Sequence, residues 1–75
     1  MNGDLHIGRV IKKIMEKEGR KVEWLAKNIN CHRNNIYKIY QQESIHLDLL
    51  IRISISLRYN FFSLYYNFVE EHIHN

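Results

Sequence analysis

Residues 22–41 read Val22-Glu23-Trp24-Leu25-Ala26-Lys27-Asn28-Ile29-Asn30-Cys31-His32-Arg33-Asn34-Asn35-Ile36-Tyr37-Lys38-Ile39-Tyr40-Gln41. Val22, Leu25, Ala26 and Ile29 recur at helical spacing, and Ile36, Ile39 and Tyr40 do so again after His32, a weak cap candidate. Two helices joined by a short turn cross steeply and pack closely, which calls for a small residue near the crossing. Ala26 supplies it. The turn needs a residue that tolerates left-handed backbone, and Asn30 serves. Leu25, Ile29, Cys31, Ile36 and Ile39 then fall on the inner faces. With that face fixed, the second helix turns Arg33, Asn34, Tyr37, Lys38 and Gln41 outward. Side chains of this kind suit the edges of base pairs in a major groove, Arg matching guanine and Asn matching adenine. Double-stranded DNA is the expected partner.

Upstream, Ile7, Val10, Ile11 and Ile14 place a helix over 4–18, with Asp4 as the expected N-cap and Gly19 in the position of a C-cap glycine. Downstream, Ile45, Leu47, Leu49, Ile51, Ile53, Ile55 and Leu57 are apolar at every second position, a strand-like pattern. No second alternating run exists to pair with them, and an isolated strand is not viable. The segment is therefore expected to be a fourth helix, with Leu47, Leu50, Ile53 and Leu57 inward, Ser54 beside them, and Leu49, Ile51 and Ile55 to the sides. After a break at Asn60, the run Phe61, Phe62, Leu64, Tyr65, Tyr66, Phe68 and Val69 predicts a fifth helix that frays through His72 to Asn75, with 73–75 as a tail. The fold class is all-α, one five-helix domain over 1–75.

Seventy-five residues leave no room for a separate catalytic domain. Net charge is +3, but it is unevenly placed. Residues 1–42 carry nine Lys/Arg against four acids, and residues 43–75 carry two against four. The basic part is the one that contains the two-helix unit, which suits contact with a polyanion. Lys21 and Lys27 flank the first helix of that unit, and Arg9, Lys12 and Lys13 add charge from helix 1. The single cysteine, Cys31, excludes an internal disulfide framework and points to a reducing compartment, and no signal peptide or membrane span is read, so a cytoplasmic location is expected. His72 and His74 lack the further ligands a zinc site needs. No nucleophile–base set, paired carboxylates or phosphate-cradling glycine loop is present, so neither an enzyme nor a cofactor is expected.

The aromatic stretch holds more large apolar side chains than one helix face can bury. Leu49, Ile51, Ile55, Phe62, Tyr65, Tyr66, Phe68 and Val69 are thus candidates for a homodimer seam or another protein partner's footprint.

The Leu25-Ala26 pair, the Asn30 turn and the paired Ile36 and Ile39 resemble the phage-repressor/Cro-like (XRE) family of helix-turn-helix DNA-binding proteins, and Asp48–Leu57 resembles that family's fourth helix. The resemblance spans roughly residues 5–66. It implies a five-helix fold of lambda-repressor-like type and a sequence-specific transcriptional regulator. By position it implies base contacts from Arg33, Asn34 and Lys38, with Val22 (through its backbone N–H), His32, Tyr37 and Gln41 near phosphates. The chain departs from the family at Tyr40, Gln42 and His46, where glutamate, glycine and a nearby proline are common. The same pattern also accommodates a DNA-binding antitoxin, whose toxin would cover the aromatic surface, or a protein-interaction module.

Overall fold

The computed structural model describes residues 5–74. Five helices follow one another: α1 (Ile7–Lys17), α2 (Val22–Asn28), α3 (Arg33–Tyr40), α4 (Leu47–Leu57) and α5 (Phe62–Ile73). The segment with strand-like alternation is helical. Its inward face is Leu50, Ile53 and Leu57, all buried, whereas Ile51 and Ile55 are exposed. Leu47 corrects the expected inner face: it is 62% exposed, because it opens the first turn of α4 at the edge of the core.

The core is one cluster in which Ile7, Ile11 and Met15 of α1 meet Leu25, Ala26 and Ile29, Ile36 and Ile39 of α3, and the α4 face. Phe61, fully buried at the start of the last helical segment, closes it. No residue of α5 itself is fully buried.

Three of the helices end the same way. Gly19, Asn30 and Arg58 have φ of 66°, 57° and 52°. In each case the next residue's N–H reaches back five positions: Arg20 to the Met15 carbonyl (2.9 Å), Cys31 to Ala26 (2.9 Å) and Tyr59 to Ser54 (3.1 Å). This left-handed closure satisfies carbonyls that a helix end leaves unpaired.

The start of α1 differs from the sequence expectation. Asp4 lies outside the described residues, and the cap is His6, whose Nδ1 accepts from the Arg9 N–H at 3.1 Å. The two N–H groups before it donate across the molecule, Ile7 to the Glu43 carbonyl and Gly8 to the Gln42 carbonyl, both at 3.0 Å. The first turn of α1 therefore caps the chain leaving α3, and this fixes the path beyond Tyr40. Gly8 is what permits it, since a Cβ there would fall on the carbonyl oxygens of Ile39 and Tyr40. At the other end of the chain, α5 continues through His72 to Ile73, beyond the point where fraying was expected. The His72 ring stacks on Phe68 at 4.0 Å, and its Nδ1 lies 2.7 Å from the Phe68 carbonyl.

Candidate nucleic-acid interface

Helix α3 is positioned by its inner side. Ile36 and Ile39 are buried against α1 and α2, and four residues (29–32) join α2 to α3. That anchoring leaves Arg33, Asn34, Tyr37, Lys38 and Gln41 exposed. His32 caps the helix, its Nδ1 accepting from the Asn34 N–H at 3.1 Å. Both histidine caps use Nδ1 as acceptor, which places the ring proton on Nε2.

The exposed residues divide into two edges by helical spacing. Arg33, Tyr37 and Gln41 succeed one another at intervals of four along one edge, and Asn34 and Lys38 along the next. Each edge borders a concavity. On the first side Tyr37, Tyr40 and Gln41 face His6, Arg9 and Lys12 of the α1 region. On the second, Asn35, Lys38 and Gln42 stand opposite Leu49 and Arg52 of α4. A third concavity, beside the start of α2, mixes Lys12, Arg20 and Lys21 with Glu16 and Glu23. Lys13 lines none of these three.

Arg33 is engaged. Its Nη1 donates to Glu23 Oε2 at 2.9 Å, with both side chains more than half exposed. The Glu23 carboxyl is held below its ordinary range, first by a backbone hydrogen bond within its own residue and then by the Arg33 hydrogen bond. Tyr40 is the opposite case: burial, then the nearby Glu16 charge and Tyr37, push its hydroxyl up. Tyr37 and Tyr40 pack edge to face with centroids 6.3 Å apart.

Of the other sequence candidates, Lys21 stands at the N-cap of α2 without a side-chain cap bond, Val22 opens that helix half-buried, and Lys27 is exposed in its last turn. Trp24 packs on the core edge under the Arg20 guanidinium, 4.3 Å from the ring centroid. Cys31 is half-buried against the core. Arg52 had no sequence signal: its Nη1 donates to the Ile29 carbonyl at 3.1 Å, placing a cation at the C-terminal end of α2, where the helix dipole favours one.

The seam candidates separate by burial. Leu49, Phe62 and Tyr65 are half-buried and pack on the core, and Phe68 is half-buried under His72. Ile51, Ile55, Tyr66 and Val69 are exposed, and Leu47 and Ile73 join them. On α4 the exposed set falls at 47, 51 and 55, and on α5 at 66, 69 and 73, so each makes a stripe. Phe62 borders both grooves between these helices, one with Ile51 and Ile55 and the other with Ile45, Leu47 and Tyr65.

No three His, Cys, Asp or Glu side chains come together to hold a metal, and no helix is long and apolar enough to cross a membrane, among the described residues. Comparison with protein-family models, with characterised proteins and with solved structures gives no match.

Proposed function

We propose that the chain is a sequence-specific double-stranded-DNA-binding regulator of repressor/Cro type that reads the major groove with α3. The observation that carries this is the division of α3 into two sides. Ile36 and Ile39 are buried, while Arg33, Asn34 and Lys38 stand exposed on the opposite face, between concavities that hold Arg9 and Lys12 on one side and Arg52 on the other. Arg33, Asn34 and Lys38 are assigned to base edges. Lys21, Lys27, His32, Tyr37, Gln41 and the backbone of Val22 are assigned to the vicinity of phosphates.

Selection of bound sequences from a random duplex pool at two salt concentrations tests the proposal. A defined consensus is expected, with steep salt dependence. Duplex binding that is indifferent to salt and survives simultaneous alanine replacement of Arg33, Asn34 and Lys38 refutes it, and so does an absence of binding at about 50 mM salt.

The exposed apolar stripes of α4 and α5 favour a protein partner in addition. A second copy of the chain would bury Ile55, Tyr66 and Ile73, three side chains more than 60% exposed. A dimer would present two α3 helices to half-sites about 34 Å apart, and the selected consensus would then be palindromic. A regulator paired with a toxin would cover the same face with that toxin, and co-purification of a 1:1 complex in place of a self-dimer distinguishes the two.

A further inference from the structure

Among the three concavities around α3, the one formed with α1 has a distinct composition. It is lined by His6, Arg9, Lys12, Tyr37, Tyr40 and Gln41, which include two full cations and no acid. The neighbouring hollow beside α2 shares Lys12, Tyr37 and Tyr40 with it and carries more cations, but sets Glu16 and Glu23 among them. The hollow on the α4 side is lined partly by Ile39 and Leu49, and its Arg52 already donates to the Ile29 carbonyl.

Several residues that carry donors line the α1 cleft. The backbone N–H of Arg9 occupies His6 Nδ1, so the ring carries its proton on Nε2 as a donor. Tyr37 and Gln41 supply a hydroxyl and an amide from α3, and Arg9 and Lys12 supply charge from α1. The cleft is about 390 Å³, room for a phosphate group together with several water molecules of roughly 30 Å³ each.

We infer that this cleft is a binding site for a backbone phosphodiester of the duplex, held between α1 and the Tyr37–Gln41 edge of α3. The inference rests on the proposal that α3 enters the major groove. A helix in a groove about 12 Å wide has a phosphate backbone along each side. The α1 cleft borders the same edge of α3 as Arg33, so the strand on that side passes its mouth. Helix α1 then acts as a second wall of the interface. It contributes affinity without sequence preference, because phosphates carry no base identity.

The test is the salt dependence of binding to a selected duplex and to an unrelated one, for the intact chain, Arg9→Ala/Lys12→Ala, Arg9→Lys/Lys12→Arg, and Lys13→Ala. All of these side chains are exposed, and thermal melting checks that the folds match. The double alanine variant is expected to bind both duplexes more weakly by a similar factor. Its slope of log affinity against log salt should be shallower by about 0.9, the value for one lost phosphate contact. The charge-preserving variant should keep most of the slope, and Lys13→Ala should leave it as in the intact chain. If the intact chain binds its selected duplex and the double alanine variant has an unchanged slope, the cleft is not a phosphate site and the α3 proposal stands. If Lys13→Ala lowers the slope as much as the double variant does, charge on α1 acts at large and the cleft inference also fails. If the intact chain binds no duplex at low salt, both fail together.

Discussion

Arg33 donates to Glu23 at 2.9 Å while standing on the edge of α3 assigned to DNA. An exposed pair of this kind contributes little to stability, but it competes with any acceptor Arg33 would meet on a base. Glu23→Gln is expected to leave the melting temperature nearly unchanged and to raise duplex affinity several-fold at low salt, as measured by fluorescence anisotropy. Arg33→Ala should cost about 1–3 kcal/mol of binding and relax preference at one base position. Because the Glu23 carboxyl is held below its ordinary range, what the pair adds to folding is present at neutral pH. That contribution is lost only as pH falls through the lowered value. Gly8 illustrates the reverse of a common rule. Glycine inside a helix is normally improved by alanine, by roughly 0.5–1 kcal/mol. Here the added Cβ meets the backbone of Ile39 and Tyr40, so Gly8→Ala should destabilise by about 1–3 kcal/mol in urea unfolding. Nothing in the sequence around Gly8 announces this, since the carbonyls it accommodates lie more than thirty residues away.

The helices were legible where side-chain periodicity meets a partner and illegible where a single backbone angle or a distant contact decides. Leu25, Ala26, Ile29, Ile36 and Ile39 follow from spacing alone, and all are buried. Alternation misleads over 45–57, because isoleucines that flank a helical stripe read like one side of a strand. Leu47 fits the stripe but lies beyond the edge of the core that the stripe serves. Gly19 and Asn30 are residues that signal a left-handed closure; Arg58 is not, yet it adopts φ 52° in the same arrangement. The histidine caps escape for a similar reason, as His is not among the usual N-cap residues. Replacing Arg58 by Gly should therefore stabilise the fold, by up to about 1 kcal/mol, whereas Gly19→Ala should destabilise it by a comparable amount. Thermal unfolding of the two variants checks both signs. Ser54 Oγ is buried without a hydrogen-bond partner among the described residues. Ser54→Ala is accordingly expected to be neutral or stabilising.

At the scale of the molecule, α5 is held mainly by Phe61 ahead of its first turn and by half-buried side chains along one flank. Phe61→Ala should cost about 3–5 kcal/mol, because it empties the site of a fully buried ring. Ile55→Asp and Tyr66→Asp should leave the melting temperature close to that of the parent. If a second copy covers the stripes, they should abolish self-association in sedimentation equilibrium. The contact between α1 and the exit of α3 has a consequence for hydrogen exchange. First-turn amide protons of a helix usually exchange with solvent deuterium almost freely, since they lack an intrahelical acceptor. Ile7 and Gly8 instead donate to Glu43 and Gln42. Their exchange is therefore slowed by the fraction of time that α1 stays joined to the end of α3. The protection of two backbone amides thus gauges the free energy needed to part α1 from the helix that is assigned to the duplex.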